Sequence, residues 1–203
     1  MTEPGGSGPG AADPARVRGR ADEIILDADQ EAAAARLRLL IDRLKDGLSK
    51  PARRGFRLFR KSRRAGDENP RGIYIHGGVG RGKSMLMDMF FDAAPVTRKR
   101  RVHHHHFMQE AHSEINRALV SGRETGGDDG LARFAHGLAD DTRLLCFDDF
   151  HVTDIGDAMI LGPLFGALIE AGVIVVMTSN RAPDRLYENG INRARFEPFI
   201  DLI

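Results

Sequence analysis

The segment from Gly77 to Ser84 reads Gly-Gly-Val-Gly-Arg-Gly-Lys-Ser and fits the spacing G-x-x-x-x-G-K-[ST] at every position. Glycines at these positions let the backbone curve with its N–H groups pointing inward, which makes a cradle for an anion. A helix predicted over Lys83–Ala93 follows, and its first N–H groups and positive dipole end also favour an anion. With the strand predicted at Gly72–His76, this is the strand–loop–helix context of a phosphate-binding loop.

Two side chains of this loop have distinct tasks. We expect Lys83 to place a positive charge on the β- and γ-phosphates of a nucleoside triphosphate, and Ser84 to offer its hydroxyl to the accompanying magnesium ion. A glycine-rich turn beside an incidental Lys-Ser pair is the alternative, and the flanking strand and helix argue against it. The residues predicted to bind the phosphates are Gly77, Gly78, Val79, Gly80, Arg81, Gly82, Lys83 and Ser84.

Two carboxylates follow an apolar strand further along the chain. The strand is predicted at Leu144–Phe147, and Asp148 and Asp149 come directly after it, as in a Walker B motif. We expect Asp148 to hold magnesium, directly or through water, and Asp149 to orient and deprotonate the attacking water. An acidic turn without a catalytic role is the alternative for this pair taken alone, and the upstream loop favours the catalytic interpretation.

A third polar position follows the strand predicted at Val173–Thr178. Asn180 comes two residues after that strand and could reach between the γ-phosphate and the attacking water, although an asparagine in a turn explains the spacing equally well. A strand predicted at Val102–His106 lies between the loop and the acidic pair in sequence. That order indicates the nucleotidases in which an extra strand separates the loop strand from the acidic strand in the sheet.

The elements that must position these side chains alternate between strands and helices. Alternation of this kind predicts an α/β fold with a parallel sheet and helices on both faces, here a P-loop nucleotidase. The further helices are predicted at Met108–Val120 and Ile155–Ala171, with a loop at Gly122–Gly130.

The N-terminal third differs from the rest of the chain in its composition and periodicity. Leucine and isoleucine recur at helical spacing over Asp29–Leu48, which predicts an amphipathic helix. Between Lys50 and Arg64 lie eight basic residues and no acidic one, which indicates either a solvated helical face or a patch for nucleic acid or an acidic partner. We therefore divide the chain into a disordered N-terminus (1–20), a helical and basic segment (21–66) and the nucleotide-binding core (67–203).

Composition excludes several classes of protein. With 41% hydrophobic and 29% charged residues the chain is neither fibrous nor largely disordered, and its net charge of +1 gives no global preference for nucleic acid. No apolar stretch is long enough to span a membrane, and the amino terminus lacks the features of a signal or transit peptide, so we expect a cytoplasmic location. The single cysteine, Cys146, excludes an internal disulfide and is expected to be buried and inert.

Four segments resemble the ZapE/AFG-type AAA+ ATPases, bacterial cell-division proteins with mitochondrial relatives. They are GIYIHGGVGRGKSMLMDMFF (72–91), RVHHHHFMQEAH (101–112), LLCFDDFHVTDIGDAMILGPLF (144–165) and TSNRAPDRLYENGINRARFEPFI (178–200). The resemblance runs from about residue 24 to the end. It implies an AAA+ large subdomain, ATP and Mg²⁺ as ligands, ATP hydrolysis and assembly into a homo-oligomeric ring. It also points to bacterial cell division or quality control of membrane-associated proteins, with peripheral attachment at the inner membrane.

The same resemblance assigns residues. Lys83, Asp149 and Asn180, the last as sensor 1, become catalytic, and Ser84 and Asp148 become metal ligands. Arg193 resembles the arginine finger that reaches a neighbouring subunit's γ-phosphate, with Arg195 as the second candidate and two surface arginines as the alternative.

Three departures from the family pattern bear on function. The family usually has glutamate at the position of Asp149, and His104 and His106 replace an aromatic and a variable residue. The chain ends at Ile203, near where the family's lid domain begins, so we expect a fragment lacking the lid. The short Asp149 and the missing lid leave open a nucleotide-dependent binding switch with little hydrolysis. The basic segment from Lys50 to Arg64 leaves open a nucleic-acid-loading AAA+ protein.

Overall fold

The computed structural model describes residues 26–49, 72–120 and 127–203. Four strands and six helices occur in these residues, together with two short 3₁₀ turns at Pro183–Arg185 and Arg193–Arg195. In chain order the elements are α1 (Ala28–Ser49), β1 (Gly72–His76), α2 (Lys83–Ala93), β2 (Lys99–His103), α3 (His104–Val120), α4 (Gly127–Asp141), β3 (Leu144–Asp148), α5 (Ile155–Glu170), β4 (Ile174–Ser179) and α6 (Glu197–Ile200).

The four strands form one parallel sheet in the order β1-β4-β3-β2. A strand therefore separates the loop strand β1 from the acidic strand β3, as predicted. The separating strand is β4, which comes last in sequence, whereas β2 lies at the far edge of the described sheet.

Helices cover both faces of the sheet, which confirms the predicted fold class. Leu144 and Cys146 of β3 pack with α1 and α2, whereas Leu145 and Phe147 of the same strand pack with α3, α4 and α5. Side chains alternate between the faces of a strand, and β3 is apolar on both because both faces are covered. Cys146 is buried as expected, and burial raises the pKa of its thiol to about 12.

The histidine run corrects one predicted boundary. The strand predicted at Val102–His106 is β2, which lies three residues earlier and ends at His103, and α3 begins at His104. Helical burial at intervals of three and four explains the difference, since the buried residues of this stretch are His104, Phe107, Met108 and Ala111. Of the four consecutive histidines, only His103 therefore lies in the strand, and the other three begin the helix.

A helix replaces part of the loop predicted at Gly122–Gly130. Helix α4 begins at Gly127, and its buried side chains Leu131, Ala135 and Leu138 pack into the core on the side of α3 and α5. Tertiary packing of this apolar stripe outweighs the low helix propensity of the glycines at its start.

Several predictions lie outside the described residues. They concern the disordered N-terminus at 1–20, the basic segment from Lys50 to Arg64, the boundary between residues 66 and 67, and the first part of the loop at 122–130. Within the residues that the structure describes, no helix is long and apolar enough to cross a membrane.

Candidate active site

The phosphate-binding loop connects β1 to α2 and has a backbone that only glycine adopts readily. Gly80 and Gly82 have φ values of 77° and 71°, in the left-handed region that side chains disfavour. The backbone N–H of Gly77 donates to the carbonyl of Ser179 at 3.2 Å, which fixes the start of the loop to the end of β4. The loop's shape therefore depends on its glycines and on the neighbouring strand.

The Lys83 ammonium lies at the centre of the loop. Its Nζ donates three hydrogen bonds of 2.8 Å each, to the carbonyl oxygens of Gly77 and Gly78 and to Oδ1 of Asn180. This arrangement uses all three protons of the ammonium. The charge predicted to bind phosphates is thus held at the position where the loop and the end of β4 meet.

Asn180 connects the Lys83 ammonium to the carboxylate of Asp149, the second residue of the predicted acidic pair. Its Nδ2 donates to Oδ1 of Asp149 at 3.0 Å, while its Oδ1 accepts from Lys83. Because an ammonium can only donate and a carboxylate accepts, these two partners also determine which way the amide points. The structure therefore brings together Lys83, Asn180 and Asp149, three of the four side chains predicted to be catalytic.

Asp149 has an uncommon backbone conformation. Its φ of 50° is left-handed, and two bonds hold it there: its N–H donates to Thr178 Oγ1 at 3.2 Å, and its carbonyl accepts from His151 Nδ1 at 2.8 Å. Strain of this kind persists where the surroundings over-determine the conformation, which occurs often at functional sites. His151 was not predicted as a site residue.

Asp148 is paired with an arginine that the sequence did not reveal. Arg101 of β2 donates from Nε to Asp148 Oδ2 at 2.6 Å and from Nη2 to Oδ1 at 3.1 Å, and from Nη1 to Asp88 of α2. The hydrogen bond to Asp148 is the largest cause that raises the pKa of Arg101 above its usual range. The predicted metal ligand is thus neutralised by a permanent cation.

The donor set fits a magnesium ion of the kind found beside nucleotide phosphates. Magnesium prefers oxygen ligands and usually keeps several waters, so one carboxylate and one hydroxyl suffice when phosphates supply the rest. Asp148 and the exposed Ser84 at the start of α2 offer those two oxygens. Within the described ranges, no three His, Cys, Asp or Glu side chains are arranged to hold a metal by themselves, the histidine run included.

Helix α1 contributes a wall beside the loop. Gln30 Nε2 donates to the carbonyl of Arg81 at 3.2 Å, and Gln30 and Asp27 cap the helix reciprocally through bonds of 2.9 and 3.0 Å. A cavity of about 210 Å³ lies between this end of α1 and the loop, lined by both elements and by His76. Sequence reasoning placed the helix but missed this contact.

A histidine cluster packs behind the acidic pair. His104 is only 2% exposed, and neither of its ring nitrogens has a hydrogen-bond partner. Its ring stacks edge-on against Phe150 at 4.4 Å between ring centres, and its Nε2 is 3.9 Å from Asp157, which is bonded to His112 at 2.8 Å. Burial is the main cause that lowers the pKa of His104 to about 3, with His151 and His105 contributing.

The two candidate finger arginines differ in their environments. The guanidinium of Arg193 donates to the backbone carbonyls of Leu186, at 2.8 Å, and Asp184, so it stabilises a turn of its own chain. Arg195 is exposed. The turn that carries both arginines is tight, with left-handed residues at Tyr187, Asn189 and Asn192.

Comparison with known proteins identifies a matching family and similar proteins from other organisms. The family described as AFG1-like ATPase matches residues 15–203. Cell division protein ZapE of Escherichia coli strain K12 is 50% identical over 133 residues, covering 66% of this chain and 34% of that protein. Lactation elevated protein 1 homolog B of Danio rerio is 46% identical over 140 residues, covering 66% of this chain and 28% of that protein.

A solved structure supports the fold independently of sequence. Domain III of the replication initiation protein DnaA from Thermotoga maritima superposes with a TM-score of 0.53 at 17% identity, covering 86% of this chain and 62% of that one. The chain spans about a third of the length of the two curated relatives.

Proposed function

The chain belongs to the AFG1-like ATPase family, and from this premise we propose that it binds ATP with Mg²⁺ and hydrolyses it. One observation carries the proposal: Asn180 bridges Lys83 in the phosphate-binding loop and Asp149 after β3 through bonds of 2.8 and 3.0 Å. The ammonium is the charge that phosphoryl transfer uses to bind phosphates, and the connected amide and carboxylate are groups that can position the attacking water.

Each side chain has a task in this reaction. The backbone N–H groups of the loop receive the phosphates, and Lys83 exchanges its carbonyl partners for phosphate oxygens. Asp149 accepts the proton of the attacking water, and Asn180 holds that water in line with the γ-phosphate. Magnesium, held by Ser84 and Asp148, would neutralise charge that develops on the phosphates.

We propose that the arginine finger acts between subunits of a ring, as the family resemblance implies. Arg195 suits this task better than Arg193, because it is exposed whereas Arg193 is committed to two carbonyls of its own turn. Substituting Arg195 with alanine should lower turnover without unfolding the protein. Substituting Arg193 should lower stability as well, because it removes both turn contacts.

Phosphate release measured against protein concentration tests the proposal. We expect turnover by the wild-type protein, with specific activity rising with concentration, and a loss of about 10²-fold or more in Lys83→Ala and Asp149→Asn. Asp201→Asn, an exposed carboxylate near the C-terminus, is the matched control. Equal turnover in all four proteins would refute hydrolysis at this site, and tight ATP binding without turnover would favour a binding switch.

The cellular role is proposed from the family resemblance and from the name of one relative. The Escherichia coli protein is named for cell division. We propose that this chain acts in that process, or in quality control of membrane-associated proteins. In either role, a ring of ATP-bound subunits would recognise a partner protein.

A further inference from the structure

We propose that Arg101 is a built-in counter-cation of Asp148, so that a divalent cation binds this carboxylate only together with the phosphates of the nucleotide. The inference deepens the proposed function and rests on it, since it assumes that Asp148 serves as the metal ligand. It assigns a role in metal binding to Arg101 of β2, whose pairing with Asp148 no local sequence pattern predicts.

The geometry leaves Asp148 little capacity for a free cation. Arg101 engages both carboxylate oxygens side-on, at 2.6 and 3.1 Å, in the fork arrangement that gives the strongest charge-assisted pairs. The Asp148 side chain is only 13% exposed, so water screens the pair weakly. A cation that approaches alone meets a carboxylate whose charge is already matched.

A second acid gives Arg101 an alternative partner. Its Nη1 donates to Asp88, which lies on α2 and is 60% exposed. When phosphates and metal arrive at the loop, the guanidinium can stay paired with Asp88 while Asp148 turns to the metal or to a water of its shell. Arg101 thus links the helix that begins at the phosphate-binding loop to the strand that carries the acidic pair.

The triphosphate supplies the negative charge that favours the transfer of Asp148 from Arg101 to the divalent cation. A metal–nucleotide complex adds negative charge beside Asp148, which stabilises the divalent cation there, whereas the cation alone must compete with a fixed guanidinium. The divalent cation therefore binds together with the nucleotide and not before it. Such order would keep the acidic pair from collecting cations in the empty enzyme.

The test measures Mn²⁺, as a paramagnetic probe, binding to nucleotide-free full chain by electron paramagnetic resonance. We expect weak binding by the wild type and about tenfold or tighter binding by Arg101→Gln, because a nearby opposite charge typically changes ionisation equilibria by one to three logarithmic units. Asp148→Asn in the Arg101→Gln background should abolish the gain. Arg100→Gln, on the same strand but paired with Glu110, is the matched control and should bind as the wild type does.

Two outcomes of the Mn²⁺ measurement overturn the proposal: Arg101→Gln binds Mn²⁺ no more tightly than the wild type, or its gain survives loss of Asp148. If Arg101→Gln does not fold, the Nε–H resonance of Arg101 in the wild type decides. It should stay unchanged with MgCl₂ alone and shift with Mg²⁺ plus a non-hydrolysable ATP analogue, and a shift with MgCl₂ alone refutes the inference. If Asp148→Asn alone binds Mg·ATP as tightly as the wild type, the proposed metal ligand fails instead.

Discussion

Replacing His104 with phenylalanine should make the protein more resistant to mild acid. The imidazole is buried against Phe150 with both ring nitrogens unpaired, and burial lowers its pKa to about 3, against 6.5 for an unburied histidine. The groups that face it are Asp157 on α5, His151 after β3 and His105 on its own helix. Phenylalanine keeps the ring and removes the buried nitrogens.

The sign and size of the effect follow from proton linkage. Above pH 6.5 the ring is neutral in the folded and the unfolded chain, so it has no pH-dependent effect there. Between pH 6.5 and about 3, the unfolded chain takes up a proton that the folded chain excludes, and stability falls as the pH falls. From pH 7 to pH 5 this removes about 2 kcal/mol from the free energy of unfolding.

Urea unfolding at pH 7 and pH 5 measures the effect in both proteins. His104→Phe should be more stable at pH 7 by about 1 kcal/mol, because it removes the two unpaired buried nitrogens of His104, and by about 3 kcal/mol at pH 5. His136→Phe, at an exposed position of α4, is the control and should lose stability between the two pH values in parallel with the wild type. If wild type and His104→Phe lose the same free energy between pH 7 and pH 5, the reasoning is refuted.

Two further substitutions test contacts around the phosphate-binding loop and in the tight turn that carries Arg193 and Arg195. Gln30→Ala removes the bond to the carbonyl of Arg81, so nucleotide affinity measured by calorimetry should fall by about three- to tenfold, or about 1 kcal/mol, and an unchanged affinity would show that α1 does not support the loop. Gly190→Ala would place a Cβ 2.3 Å from the ring of the buried Tyr187, so thermal unfolding should show a loss of about 1–3 kcal/mol, and wild-type stability would contradict this packing.

The sequence alone could predict those parts of the site whose chemistry needs residues that are adjacent in the chain. The loop from Gly77 to Ser84 is contiguous because a phosphate cradle is a local backbone structure. The acidic pair is also local, since both aspartates directly follow one apolar strand. Arg101 lies 47 positions from Asp148, and only the pairing of β2 with β3 brings the two together. No local pattern records that register, so sequence reasoning missed it.

The histidine run shows a second limit of prediction, in which a local pattern was present in the sequence but was misinterpreted. The sequence prediction continued the strand through His106, yet His104 lies in a helix with its ring buried. The decisive signal was present in the apolar spacing of Phe107, Met108 and Ala111, which continues backward to His104 at a helical interval. A histidine in a core position conceals this pattern, because it counts as polar in any hydrophobic periodicity.

The backbone at Asp149 bears on whether an aspartate can serve where the resembled family usually has glutamate. Aspartate, like asparagine, tolerates the left-handed conformation found here better than most residues do. That conformation, held by Thr178 and His151, brings the short carboxylate to 3.0 Å from Asn180. The backbone therefore places this carboxylate beside the amide that also contacts Lys83. For this reason the missing methylene is a weak argument for a switch without hydrolysis, and the connected ammonium, amide and carboxylate favour turnover.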